Sequence, residues 1–172
     1  MQTESQIPGV VIRAPEVHAD SRGRFTEIYR AAGMPHRFAQ SNHSRSAPGV
    51  LRGLHYHQRQ DDLWYVVAGR AQVALADLRR RGERPTVETH IVDGQRPVTL
   101  YIPRGVAHGY LALTELDLMY WVTAEYDPSD EMGVAWDDPT LSVPWQLTGR
   151  PHVSERDDSN PALEWERIPS FA

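Results

Sequence analysis

The sequence predicts an all-β fold, a sandwich or barrel of short strands. Short segments with strand-like patterning recur at near-regular spacing from Val10 to Val122. Turn-forming groups separate several of them, among them Asp93-Gly94, Pro103-Arg104-Gly105 and Thr114-Glu115. No long helical period interrupts the series before the C-terminal region.

The elements follow in order. Val10 to Ile12, after Pro8-Gly9, reads as a first strand. The turn Asp20-Ser21-Arg22-Gly23 feeds an alternating strand carrying Phe25. Gly33 and Pro35 limit Ala31 to Arg37 to at most one helical turn. Phe38 to Ser44 alternates again and sets Gln40, Asn42 and Ser44 on one face. Strands are expected over Val50–Gln58, Leu63–Val67, Ala71–Leu78, Thr86–Val92, Val98–Ile102, His108–Leu113 and Leu116–Val122, with a charged turn at Arg79–Arg84. Beyond Tyr126 the chain is rich in loops and prolines. There Asn160 can cap a short terminal helix with Pro161 at its first position.

Composition narrows the function. At 172 residues the chain suits one domain with a sizeable core, and neither a domain boundary nor an internal repeat is visible. A net charge of −5 argues against non-specific nucleic-acid binding, while a few local arginines could still hold a phosphorylated small ligand. No apolar run approaches the roughly 20 residues of a membrane helix. The polar start, Met1 to Gln6, lacks a signal-peptide core, so a cytoplasmic location is expected. The absence of cysteine excludes disulfides, thiolate metal sites and a cysteine nucleophile.

The stretch from Gly49 to His57 carries the chemistry, and it runs through the polar segment Gln58–Asp62 to Gly69. His55 and His57, two residues apart on a strand, project to one face. With Arg52, Asp62 and the later His108 they make a site that either moves protons or holds a metal.

Segments spread from Val10 to Pro161 resemble the dTDP-4-dehydrorhamnose 3,5-epimerase family of cupin-type sugar-nucleotide epimerases. They are Asp20–Glu27, Phe38–Ser44, Leu51–Tyr56, Ile102–Tyr110, then Tyr120, Tyr126–Pro128, Glu131–Gly133, Trp136–Pro139 and Val153–Asp157, in the family's order. The resemblance implies a cupin-type β-barrel or jelly roll with short peripheral helices. It implies no cofactor, and epimerisation of a dTDP-linked 4-keto-6-deoxy sugar at C3 and/or C5. His55 matches the family's general base, Asp157 the carboxylate that orients it, and Tyr120 its general acid. Arg22 and Arg52 match diphosphate-binding arginines, and Glu27, Gln40, Asn42 and His108 fall on the substrate side. Tyr126 matches the aromatic that stacks on thymine. The family further implies a homodimer exchanging N-terminal strands, so that Arg22 serves the neighbouring subunit.

The chemistry suits these residue types. A proton beside a ketone is removable because its charge delocalises as an enolate. Histidine, with an unperturbed pKa of about 6.5, suits that removal when a carboxylate fixes its tautomer. Inversion needs a proton from the opposite face, which a phenol can give, and the enolate oxygen needs a positive or hydrogen-bonding group. Two positions depart from the family. Asp62 stands where the family has a lysine, in a segment two residues shorter, and His57 replaces a glutamine.

These departures resemble a second pattern, the metal-dependent cupin motif. The chain reads Gly49, five residues, His55-Tyr56-His57, four residues, Asp62, six residues, Gly69, with Asp in place of the usual Glu. The motif's second half is present in part as Pro103-Arg104-Gly105 and His108, with Pro97 where a glycine is usual. His55, His57, Asp62 and His108 would then bind a divalent transition metal for oxygenase or isomerase chemistry. A third reading is a cupin that binds a small molecule without turning it over. Without the resemblance, Tyr120 would read as a core tyrosine, Asp157 as one of a surface charge run and Arg22 as a solvated turn charge. The epimerase reading is the one expected.

Overall fold

The computed structural model describes residues 4–171 and is almost entirely β. One sheet joins β1 (Val11–Arg13), β4 (Gln40–Ser46), β6 (Asp62–Ala68), β9 (Thr99–Ile102) and β11 (Leu116–Val122) in the order β1-β9-β6-β11-β4. The other joins β5 (Leu51–Tyr56), β7 (Arg70–Asp77), β8 (Val87–Asp93), β10 (Val106–Ala112) and β12 (Met132–Gly133) in the order β12-β5-β10-β7-β8. Every named strand pairing is antiparallel. This is the jelly roll of a cupin-type barrel.

Side-chain alternation explains the packing. Trp64 and Val66 of β6, Leu100 and Ile102 of β9, and Leu116 and Leu118 of β11 point inward. They meet Val73 and Leu75 of β7 and Val106 and Tyr110 of β10 in one buried core. The second sheet is covered on its other face too. Leu54, Ala74, Ala76 and Ala107 pack there beneath Val134, Leu141 and Ile168 of the long C-terminal segment. Burial on both sides explains why β10 is buried along its whole length and reads as nearly continuous apolar sequence. The β6–β7 hairpin turns at Gly69, φ +84°, where an added Cβ would lie 1.9 Å from the Glu115 carbonyl oxygen. Only glycine fits that crossing.

Strand β4 shows how the barrel makes room. Its sequence, Gln-Ser-Asn-His-Ser-Arg-Ser, has no apolar residue, yet its burial alternates. The inward positions Gln40, Asn42 and Ser44 therefore line a polar space where a core would otherwise continue, and His43 and Arg45 face out to Asp117 and Glu115.

The expected strands form with boundaries shifted by one or two residues. Two strands were not anticipated: β12, and β2 (Val17–Asp20), which pairs with β3 (Gly23–Thr26) in a separate hairpin. The terminal helix is displaced. No helix begins at Asn160; instead α1 covers Glu155–Asp158, with extended Ser154 as its cap accepting from the Asp157 N–H. After Asn160 the backbone is used sideways. Ala135 N–H donates to the Pro161 carbonyl, and Leu163 N–H donates to Asp138 Oδ2. Those tertiary bonds displace the helical ones.

Candidate functional site

A cavity of about 460 Å³ opens between the two sheets. Strands β4, β6 and β11 supply one wall and β5 and β10 the other, so residues from distant parts of the chain meet across it.

His55, near the end of β5, is held from behind. Its Nε2 lies 2.7 Å from Asp157 Oδ1, and a carboxylate can only accept, so Nε2 carries the proton and Nδ1 is the free base nitrogen. The other oxygen, Asp157 Oδ2, accepts from the Gly53 N–H at 3.2 Å. Asp157 is 4 % exposed. Burial pushes its carboxyl up, but the His55 hydrogen bond, the His55 charge and the Gly53 N–H outweigh that and hold it below the usual carboxylate range. The carboxylate is thus charged, buried and aimed at the imidazole. Glu131, beside β12, comes within 3.7 Å of His55 Nδ1 and is paired in turn with Arg156 of α1.

Tyr120 faces the same cavity from β11, on the opposite sheet. Burial and the nearby charges of Asp62 and Glu131 raise its pKa above the usual phenol value, against a smaller opposing effect from Arg52. It is a neutral proton donor throughout the physiological range. His55 and Tyr120 therefore stand on facing walls.

Below them lie His57, Asp62 and His108, all buried, whose ligating atoms fall within 4.8 Å of one another. His57 Nδ1–H donates to the Asp130 carbonyl at 2.9 Å, and His108 Nδ1–H donates to the Val106 carbonyl at 2.9 Å. Burial lowers His108 to about 4, with Asp62 opposing and His57 reinforcing, so this ring is neutral. The four-residue metal set expected from the motif is not assembled. His55 is engaged by Asp157 and lies outside the trio, because β5 presents it to α1 rather than to β6.

The cavity mouth is polar with one exposed aromatic. Gln40 Nε2 donates to Asn42 Oδ1, and Gln40 Oε1 accepts the Tyr126 N–H, which sets the half-exposed Tyr126 ring at the rim. Arg52 Nε donates to Ser46 Oγ at 3.2 Å, and both Ser46 and Ser44 meet the Tyr110 hydroxyl.

Of the expected site residues, His55, Tyr120, Gln40, Asn42, Arg52, His108 and Tyr126 line the cavity, and Asp157 backs it. Arg22 and Glu27 are not brought there. Arg22 sits at the tip of the β2–β3 hairpin, paired with Asp20, and Glu27 pairs with Arg30. The cause is topological: within one chain that hairpin bonds to no strand of either sheet. Several cavity residues were given no role from the sequence. Trp64 and Gln60 both donate to Asp62, and Glu131 and Arg156 form the pair beside His55. The alternation of β6 signals Trp64, two residues from Asp62; no local pattern signals Arg156. The sequence also contains no lysine, so all 18 of its cationic side chains are arginine.

Known proteins share this architecture. The family model described as dTDP-4-dehydrorhamnose 3,5-epimerase matches residues 4–164. A spore coat polysaccharide biosynthesis protein of Bacillus subtilis is 39% identical over 84% of this chain and 99% of its own. The dTDP-4-dehydrorhamnose 3,5-epimerase of Pseudomonas aeruginosa is 37% identical over 94% of both. Among solved structures, the dTDP-6-deoxy-D-glucose-3,5-epimerase of Legionella pneumophila, in complex with dTDP-4-keto-L-rhamnose, superposes with a TM-score of 0.88. It is 32% identical, over 98% of this chain and 96% of that one. The jelly roll, the His55–Asp157 pair facing Tyr120 and these similarities agree: the chain belongs to the dTDP-4-dehydrorhamnose 3,5-epimerase family, and it is an isomerase.

Proposed function

We propose that the chain epimerises a dTDP-linked 4-keto-6-deoxy sugar at C3, C5 or both, through an enolate. The observation that carries this is the opposition of His55 and Tyr120 across one cavity from facing sheets. Inversion requires a proton removed on one face of the sugar and returned on the other. A site with both groups on one wall could exchange a proton but not invert the centre.

His55 Nδ1 takes the proton beside the ketone, and the ring becomes a cation that buried Asp157 stabilises. Tyr120 delivers a proton from the far side. Arg52 and the amides of Gln40 and Asn42 hold the diphosphate and nucleoside end, and Tyr126 offers an aromatic face for the base. The mode of assembly belongs to the same reading. As a homodimer exchanging its N-terminal strands, the protein would extend the unpaired β2–β3 hairpin, with Arg22 at its tip and Phe25 exposed, to the neighbour's cavity. A sugar-nucleotide substrate fits action in the cytoplasm, by a single domain without nucleic-acid or membrane partners.

The test is deuterium uptake from heavy water into dTDP-4-keto-6-deoxyglucose, read by NMR at C3 and C5. Label at both carbons defines a 3,5-epimerase and label at one a single-site epimerase. No label in an intact substrate sinks the reading for that sugar.

A further inference from the structure

Three buried side chains converge on the cavity floor. With Nδ1–H of both His57 and His108 committed to backbone carbonyls, Nε2 of each ring is turned towards Asp62. Those nitrogens lie 3.9 Å from Asp62 Oδ1 and 3.8 Å from Asp62 Oδ2. Such separations are beyond hydrogen-bond reach. The three residues are buried, at 4 %, 4 % and 3 % exposed, and they line the cavity as a compact set of two imidazoles and one carboxylate, the group types that ligate a cation.

The spacing suits a shared cation. Two atoms bound to one ion at about 2.1 Å can be no more than about 4.2 Å apart; each Asp62–imidazole separation is within that limit, and the three ligating atoms fall within 4.8 Å of one another. The surroundings are built for the purpose. The carbonyl bonds at Nδ1 fix the tautomer and direction of each imidazole, which is the support that ligating histidines receive. Gln60 Nε2 and Trp64 Nε1 orient the Asp62 carboxylate in the same manner.

We propose that His57, Asp62 and His108 bind one divalent transition-metal ion at the floor of the catalytic cavity. Two imidazoles and one carboxylate suit zinc, iron, cobalt or nickel and leave coordination positions open towards the cavity. His55 is not a ligand. The assignment goes beyond the epimerase reading and does not rest on it. A bound ion adds a positive charge to a cavity whose chain offers no lysine. Asp62 pairs in register with Val122, one same-face position beyond Tyr120, so that charge lies beside the general acid.

The experiment needs no substrate. Protein purified without a histidine tag is stripped with a chelator and titrated with Co(II), and its visible d–d absorption is followed. A saturable band at one ion per chain is expected. Asp62→Asn and His57→Gln, each checked for folding by circular dichroism, should weaken it at least about tenfold. His55→Gln and the surface variant His18→Gln should leave it unchanged. No saturable band in the wild-type protein overturns the proposal, and so does an undiminished band in folded Asp62→Asn and His57→Gln. A band lost in His55→Gln overturns the three-ligand assignment. Because no turnover is measured, these results stand apart from the success or failure of the epimerase reading.

Discussion

Asp157→Asn is the most informative single change. The substitution keeps the shape and leaves an amide oxygen that can still accept from Gly53 N–H or from His55 Nε2–H. What it removes is a charge. Asp157 is 4 % exposed and 2.7 Å from the imidazole, so the two charge centres lie about 4 Å apart once His55 is protonated. At an effective dielectric constant of about 20, that attraction is about 4 kcal/mol. It acts only when the ring has taken the proton, so nearly all of it bears on the barrier and little on substrate binding. The retained hydrogen bond and local relaxation recover part. We therefore expect the rate constant for deuterium exchange to fall about 100- to 1,000-fold, with KM and the affinity for dTDP nearly unchanged. Adding His55→Asn to Asp157→Asn should cost much less than it does in the wild type, because the pair acts as a unit. Exchange within about threefold of wild type would refute the view that this carboxylate powers the base.

Four further outcomes follow from the geometry. Tyr120→Phe should cut product inversion by two or more orders of magnitude while exchange at the carbon persists, because the base remains and only the opposing donor is lost; equal loss of both would remove Tyr120 from that role. Asp157 also sets an acid-stability term. Its folded pKa is below its unfolded value of about 3.9, so the unfolded chain binds more protons in that window and stability falls as pH falls through it. The gap in melting temperature between wild type and Asp157→Asn should therefore be full above about pH 4 and shrink below it, and a gap independent of pH would contradict this. Gly69→Ala should lower stability by about 2–4 kcal/mol, or roughly 5–15 °C in Tm, from the positive φ and the 1.9 Å approach to Glu115, without altering the kinetics of the folded fraction. Finally, mixing inactive Arg22→Ala and His55→Asn chains under conditions of subunit exchange should restore activity, because one hybrid cavity then has both residues intact; no recovery would refute the shared-site arrangement.

The strand pattern was legible because alternation is a local property. β11 occupies the residues its Leu-Asp-Leu-Met-Tyr-Trp-Val pattern marks, and the inward set Gln40, Asn42 and Ser44 follows from a period of two. The grouping of His57, Asp62 and His108 was visible as a spacing. Its division from His55 was not, because that depends on where α1 docks. Asp157 sits in a charge run, and nothing in Glu-Arg-Asp-Asp says that its third residue is buried; only the resemblance pointed there. The pair Glu131–Arg156 was invisible for the same reason, since 25 residues and a two-residue strand separate its members. The terminal helix was misplaced because Asn160-Pro161 is a good local start that loses to bonds with Ala135 and Asp138.

The His55–Asp157 contact joins residues 102 positions apart, and its far end lies on a four-residue helix reached after both sheets are complete. A chain ending short of residue 157 would hold every strand of both sheets and still leave the imidazole with nothing behind it, so the His55–Asp157 pair reports the docking of α1 against β5 rather than the pairing of the strands.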